Sequence, residues 1–250
     1  MRVSIITASL NSASTITSAI TSVNSQCYSD IEHVFIDGGS TDDTLKVISN
    51  LSIRNKILRS EPDAGIYDAL NKGVALATGD IIAFLHSDDF YPRRDVISSI
   101  VKSFETNEAS VVYGNAVYVD RDNVENILRY WRCGSFQSNA LKMGWSPCHP
   151  AIFVRSTVYK ELGVFSLDFS ISADYLFVLK LFSKYGTASY FLDNTVVTMR
   201  LGGVSTRHGN TLKKWGQDYK ILRLQGFLPI FTLFMKVTRK IFQIRLKSWF

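Results

Sequence analysis

Asp88 and Asp89 stand side by side shortly after five uninterrupted apolar residues, Ile81 to Leu85, with His86 and Ser87 between. Adjacent carboxylates repel one another unless positive charge lies between them, and a divalent metal carrying a phosphate ligand supplies it economically. A solvated turn uses the same residue types, so the pair alone does not decide. The apolar run predicts a strand buried on both faces of a mostly parallel sheet. Ligands of such sheets bind beyond the carboxyl ends of the strands, where this pair would lie.

Other stretches carry chemistry of the same kind. Asp37-Gly-Gly-Ser-Thr-Asp-Asp-Thr44 follows the apolar run Ile31–Asp37. A capped strand-to-helix turn accounts for Ser40, Asp42 and Asp43, but not for Asp37, which a neutral residue could replace. No Gly-Lys-Ser/Thr follows, so this is not a P-loop. Asp63-Ala-Gly-Ile-Tyr-Asp-Ala-Leu-Asn-Lys-Gly73 is the most distinctive string, with Asp68, Asn71 and Lys72 on one polar side of a helix. Taken singly, each of these residues reads as a solvated helix face. Later come His149 between two prolines' neighbourhoods in Pro147-Cys-His-Pro150, Asp174 at a helix start, and Gly202-Gly-Val-Ser-Thr-Arg207-His208-Gly. His149 reads equally as a pocket residue or a satisfied loop histidine. Arg207 and His208 could meet phosphate or metal, or simply flank a glycine turn.

The elements that must position these residues alternate. Strands are expected at Val3–Thr7, Ile31–Asp37, Ile57–Ser60 and Ile81–His86, with helices at Ser14–Gln26, Thr41–Leu51, Ile66–Ala77 and Asp95–Phe104. Such alternation with short polar links is the signature of βαβ units. Beyond Ala109 the pattern changes: a strand over Val111–Val119 bent at Gly114, a polar turn at Asp120–Asn126, and no periodicity over 130–150. Further strands are expected at Ala151–Val154, Ala188–Leu192 and Thr195–Met199, and helices at Ser156–Leu162 and Ala173–Lys184.

With 250 residues, one large domain or a domain with an appendage is expected. No run of about 20 apolar residues and no charged-then-apolar leader suggests a transmembrane helix or a signal peptide. Three cysteines without metal-ligand spacing suggest free cytosolic thiols. Charge is uneven: Leu212 to Phe250 carries nine basic residues and one acid, whereas the preceding 211 residues sum to −2. The near-neutral body argues against nucleic acid as a partner. From Ile230, Leu233, Phe234, Val237, Ile241 and Ile244 fall on one helix face, with Lys236, Arg239, Lys240 and Lys247 opposite. A basic, aromatic-rich helix of this kind is expected to lie in an anionic membrane surface. Packing against the body is the alternative, and it would leave the basic arc without a role.

Thr7-x-x-x-Asn11, Asp37-Gly-Gly-Ser-Thr-Asp, the Asp63–Gly73 string, Ser87-Asp-Asp and Ala173-Asp174, in this order, resemble the family 2 glycosyltransferases, and more narrowly the small bacterial members that build surface polysaccharides. The resemblance covers about residues 1 to 205. It implies an α/β fold of GT-A type, a Rossmann-like, mostly parallel sheet flanked by helices, followed here by an amphipathic helical tail. The glycosyltransferase domain would span 1–205, with a nucleotide-binding half (1–108), an acceptor half (109–205), and the tail at 206–250.

The resemblance also implies a nucleotide-diphospho-sugar donor, a divalent metal (Mn²⁺ or Mg²⁺) and inversion at the anomeric carbon. Thr7, Ser9 and Asp37 would hold nucleobase and ribose, Asp63 and Lys72 would belong to the next nucleotide-contacting segment, Asp88 would lie near the ribose and Asp89 on the metal. Inversion needs a base opposite the leaving group, and Asp174, held ionised by a helix N-terminus, is the candidate. Three departures bear on this. His86 stands where many relatives have Asp or Asn, Ala173 where many have Glu, and no Gln-x-x-Arg-Trp motif for processive synthesis is present. The expected enzyme transfers one sugar to a saccharide or lipid-linked acceptor while peripheral at the inner face of the cell membrane. Two rivals stand beside it. A sugar nucleotidyltransferase would need a glycine-rich basic N-terminal loop, which Thr7–Asn11 is not. A catalytically silent nucleotide-sugar-binding subunit would suit Ala173 and His86.

Overall fold

The computed structural model describes residues 1–53, 55–202 and 210–245. Four parallel strands form its first half: β1 (Val3–Ser9), β2 (Ile31–Asp37), β3 (Lys56–Ser60) and β4 (Ile81–Phe84). Helices α1 (Ile16–Asn24), α2 (Thr44–Asn50), α3 (Ile66–Leu76) and α4 (Val96–Asn107) connect and follow them. Strand residues alternate between two cores. Ile6, Val34, Ile36, Ile82 and Phe84 meet Tyr67, Ala69 and Leu70 of α3 on one face. Val3, Ile5, Ile81 and Ala83 meet Ala19 of α1 and Val96, Ile97 and Ile100 of α4 on the other. Burial on both faces is why these strands read as continuous apolar runs instead of alternating ones.

The second half comprises β5 (Val111–Val119), β6 (Ile127–Trp131), β7 (Ile152–Arg155), α5 (Ser156–Leu162), α6 (Ala173–Tyr185), β8 (Ser189–Arg200), α7 (Asn210–Leu224) and α8 (Pro229–Arg245). The sheet runs β3-β2-β1-β4-β7-β5-β6, with β8 on the free side of β5. β7 runs antiparallel to β4 and β5, and β6 antiparallel to β5, so the sheet is mixed. The mostly parallel α/β architecture expected from the sequence is present, with these two strands reversed.

Three elements differ from the sequence expectation. β6 falls partly in the stretch without periodicity; all five of its residues are half-buried, so no inward–outward contrast marks it. Its Trp131 packs instead in a cluster, stacking on Tyr118 with the Arg129 guanidinium 4.4 Å from its own ring and 5.6 Å from that of Tyr118. The two strands expected at 188–192 and 195–199 are one strand, β8, whose register against β5 shifts around Asn115, next to the expected bend at Gly114. The tail contains two helices. Gly226 (φ +73°) ends α7 while the Phe227 and Gly226 N–H groups bond back to Leu222 and Arg223, and Pro229 opens α8. Left-handed glycine after a helix and proline at the first turn of the next are the favoured residues for those places.

The tail is packed on the body. Ile221 and Leu222 are fully buried in the same core as Ile6 and Phe84. The basic arc of α8 is divided: Lys236 turns inward, whereas Arg239 and Lys240 stay exposed. Lys236 pairs with the buried Asp218 at 2.9 Å and lies 3.4 Å from the Tyr175 ring centroid, and Arg239 donates to the Met143 carbonyl at 2.9 Å. Burial that strips water from a lysine is tolerable where a carboxylate and an aromatic face replace it. Leu228 (74 % exposed), Ile230 (76 %), Phe234 (63 %) and Phe242 (66 %) face solvent too. None of the helices among the described residues is long and apolar enough to cross a membrane.

Candidate active site

The ends of β1, β2 and β3 present Ser9, Asp37 and Ser60 in one row, because parallel register pairs Ser9 with Asp37 and Asp37 with Ser60. Both serine hydroxyls donate to the Asp37 carboxylate, at 3.1 and 2.9 Å, and Ser40 adds its hydroxyl (2.5 Å) and backbone N–H (2.9 Å). Burial pushes the Asp37 carboxyl up, but these donors outweigh it and hold the group below its ordinary value. Asp37 is thus a fixed, ionised anchor for the loop after β2.

Asp63 approaches that loop from the other side. Its carboxylate sits so close to Gly38 that a Cβ there would overlap it, and it accepts from the Gly65 N–H at 2.8 Å. Glycine at position 38 is what lets the Asp37 and Asp63 segments meet. Lys72 reaches back from α3 to Glu61 (3.0 Å), Asp68 (3.1 Å) and the Pro62 carbonyl (3.2 Å), pinning the Asp63 loop. Thr7 is fully buried: its hydroxyl donates to the Leu85 carbonyl (2.8 Å) and so accepts from His33 Nε2 (2.9 Å). Its side chain therefore ties β1 to β4 and β2. Asn11, not singled out for a role by the sequence reading, accepts the Thr41 N–H at 2.9 Å and donates its own backbone N–H to Ser40 Oγ at 2.8 Å. Its backbone is left-handed (φ +49°), which asparagine tolerates well, and its place in the Thr7-x-x-x-Asn11 string was the available signal.

Beyond β4 the chain turns sharply, with the Asp89 N–H bonded to the His86 carbonyl at 3.0 Å. Ser87 reaches Ser12 at 2.9 Å, joining this turn to the loop after β1. Arg200, at the end of β8, donates to the Asp88 carbonyl at 2.6 Å and to Ser18 at 3.0 Å; nothing in the sequence pattern had marked it. The two carboxylates differ. Asp88 is half-buried, whereas Asp89 is 2 % exposed and its Oδ2 has no hydrogen-bond partner. Burial first, and the Asp88 charge second, push Asp89 well above the ordinary carboxylate range, against the opposing pull of Arg200. An unpaired buried carboxylate oxygen beside a second carboxylate fits a cation. Among the described residues, however, no three His, Cys, Asp or Glu side chains converge to hold one, so the protein could supply only part of a metal's coordination.

Asp174 lies in the first turn of α6 and is half-buried. Its Oδ1 is 2.9 Å from the hydroxyl of Tyr67 on α3. His149, before β7, is buried between Phe84 and Phe165, with ring centroids 4.8 and 5.2 Å away, and His86 lies 6.3 Å off. Burial pushes His149 down to about 4, despite the nearby Asp174 charge, so it is neutral at pH 7. His86 is lowered by burial too, with Asp88 and Asp174 pulling the other way. Asn71 adds a clamp, exchanging two hydrogen bonds with the Phe165 backbone at 2.8 and 2.9 Å. Arg207 and His208 lie outside the described residues.

The fold is of the GT-A glycosyltransferase type, with carboxylates near the ends of β2 and β4 and a further one on α6. Residues 4–163 match Glycosyl transferase family 2, and the chain belongs to that family. A Mycobacterium bovis protein named "PGL/p-HBAD biosynthesis glycosyltransferase" is 32 % identical over 208 residues, covering 81 % of this chain and 78 % of that protein. Among solved structures, S. aureus TarS 1–349 in complex with UDP-GlcNAc is similar with a TM-score of 0.67 at 19 % identity, over 90 % of this chain and 65 % of that one. Glucosyl-3-phosphoglycerate synthase from Mycobacterium tuberculosis, in complex with Mn²⁺, UDP and glucosyl-3-phosphoglycerate, is similar with a TM-score of 0.62 at 20 % identity, over 90 % and 80 %.

Proposed function

We propose that this glycosyltransferase moves one sugar from a nucleotide-diphospho-sugar to a hydroxyl of a lipid-linked saccharide, with inversion and without processive elongation, in bacterial surface-glycan synthesis. The observation that carries the reading is the contact of Asp174 with Tyr67: a carboxylate on α6 lies 2.9 Å from a hydroxyl on α3, the helix that follows Asp63. In one displacement, Asp174 takes the proton of the acceptor hydroxyl as its oxygen bonds to the anomeric carbon. The bond from that carbon to the diphosphate breaks, and the nucleoside diphosphate leaves with the electron pair. His149, neutral and buried between Phe84 and Phe165, would line the sugar side without competing for the proton. Asp37 and Asp63 border the nucleoside, Asp88 the ribose.

Asp89 would hold a divalent metal through its unpaired Oδ2, the remaining ligands coming from the donor's phosphates. Such a metal neutralises charge on the departing diphosphate. Structures of similar fold were solved with UDP and Mn²⁺, or with GDP-Man and Mn²⁺, which supports a donor of this class. Screening UDP-, GDP- and dTDP-sugars for Mn²⁺-dependent donor hydrolysis tests the reading. Asp174→Asn is expected to abolish turnover while UDP still binds, and full turnover in that variant would remove Asp174 from the base role.

The acceptor side is read from the tail. Leu228, Ile230, Phe231 and Phe234 form an exposed apolar face on a segment, Leu212 to Phe250, with nine basic residues and one acid. A lipid surface with anionic headgroups suits both features. Co-sedimentation with anionic vesicles is expected for the native chain and lost on combining Ile230→Ser, Phe231→Ser and Phe234→Ser. Undiminished sedimentation of that variant would exclude the face as the anchor.

A further inference from the structure

Helix α6 begins with an unusual arrangement. Its first flanking residue, Ser172, makes no capping bond with its own side chain. The Ile171 and Ser172 N–H groups instead both donate to Gln217 Oε1, on α7, at 3.0 and 3.1 Å. The Gln217 amide nitrogen returns a bond to Ser170 Oγ at 3.1 Å. From the opposite side the Tyr67 hydroxyl lies 2.7 Å from the Ile171 carbonyl. Three consecutive residues, ending two before Asp174, are thus gripped between α7 and α3.

Gln217 is itself held in place. The next residue, Asp218, is buried in the ion pair with Lys236 of α8, and Lys214 stands 3.4 Å from its carboxylate. One turn further on, Ile221 and Leu222 are buried in the main core. A half-exposed glutamine gains little by apolar burial, so its contribution lies in the two backbone N–H groups that it orients. Helix ends leave such groups without partners, and a partner from another helix fixes the entry angle of the chain.

We infer that Gln217 is a positioning residue for Asp174, so that the C-terminal helix pair completes the catalytic centre as well as offering an outer face. The inference rests on the proposed base role of Asp174. Displacing a reacting group by a fraction of an ångström to about 1 Å slows turnover by about tenfold or more without weakening substrate binding.

The test uses the full chain and whichever of UDP-GlcNAc, UDP-glucose or GDP-mannose is hydrolysed fastest with Mn²⁺. Gln217→Leu is expected to lower kcat about tenfold, with donor KM, UDP affinity and melting temperature nearly unchanged. Gln217→Glu keeps an acceptor oxygen in place and is expected to restore kcat to within about threefold of wild type. Should the leucine variant not fold, Gln217→Asn, which withdraws the amide by one methylene, is expected to show the same loss confined to kcat. Wild-type kcat in Gln217→Leu or Gln217→Asn, alongside an inactive Asp174→Asn, would overturn the inference and leave the base assignment standing. An active Asp174→Asn would overturn the base assignment itself, and the positioning role with it.

Discussion

Tyr67 and Asp174 are 107 residues apart in the chain and 2.9 Å apart in space, hydroxyl to carboxylate. Burial, followed by the Asp174 charge, pushes the Tyr67 hydroxyl well above the ordinary phenol range, so it keeps its proton. That proton is shared between the Ile171 carbonyl and Asp174, which links the Asp63–Gly73 string to the proposed base. Tyr67→Phe leaves the ring packed on Phe165 but removes the hydroxyl. A hydrogen bond to a charged group contributes about 1.5 kcal/mol, so kcat is expected to fall about tenfold. Steady-state kinetics with calorimetric UDP binding checks this; unchanged kcat would show that the contact does not matter to turnover.

Gly38→Ala tests the approach of the Asp63 segment to the Asp37 loop. The new methyl overlaps the Asp63 carboxylate, which must swing away. UDP affinity is expected to weaken about tenfold because the displaced carboxylate no longer meets the nucleotide, while stability falls by no more than the ~1 kcal/mol lower end of overpacking, since only a side-chain tip must move. Equal affinity by calorimetry would mean that Asp63 stands clear of the nucleotide.

Stability is expected to fall on mild acidification because of buried neutral histidines. Burial lowers His33 to about 3 and His149 to about 4, from an ordinary value of 6.5. The unfolded chain therefore binds protons below pH 6.5 that the folded chain refuses, so stability is full above that value and declines towards pH 4. At about pH 5.5 each histidine costs about 1.4 kcal/mol. His33→Gln, whose amide can still donate to Thr7, is expected to flatten the decline of melting temperature between pH 7 and 5; an unaltered slope would contradict the assignment.

Breaking the Lys236–Asp218 pair from one side is expected to be costly. Lys236→Met leaves a buried carboxylate with only the more distant Lys214 charge and the Ser172 hydroxyl to compensate it, a loss of about 3 kcal/mol. Adding Asp218→Leu in the same chain is expected to recover most of it, since no charge is then stranded. Urea denaturation of the single and double variants measures the difference, and additive losses would rule out the coupling.

The ion pair also explains why truncation at Gly226 would mislead. Removing α8 would strand Asp218 and disturb α7, whose Gln217 grips the start of α6. Lost activity in such a truncation would say nothing about lipid. Serine substitutions on the outer face avoid the ambiguity because Ile230, Phe231 and Phe234 are exposed.

Much of the fold was legible because its signals are local. β1, β2 and β4 are apolar runs ended by polar residues, and α3, α5 and α6 begin where the expected helices do. β6 was hidden because its residues are half-buried by Trp131, Tyr118 and Arg129 packing on one another, which leaves no alternation to read. The tail was legible only in part, for a different reason. A helical wheel shows that α8 has a basic side and an apolar side, but not which one faces the body, and here Asp218 and Tyr175 draw Lys236 inward.

The order of the motifs was enough to recognise the family and to place Asp37 and the Asp88–Asp89 pair at strand ends, because strand periodicity and turn chemistry are short-range. Only the tertiary structure separated those two neighbours. Asp89 is sealed away with an unpaired oxygen while Asp88 stays half-open, a difference made by β8 returning to lay Arg200 and Thr198 against the turn. It likewise brought Tyr67 and Gln217 to the two sides of the segment before Asp174. Burial and long-range partners depend on how the second half of the chain closes over the first, and no spacing within either half encodes them.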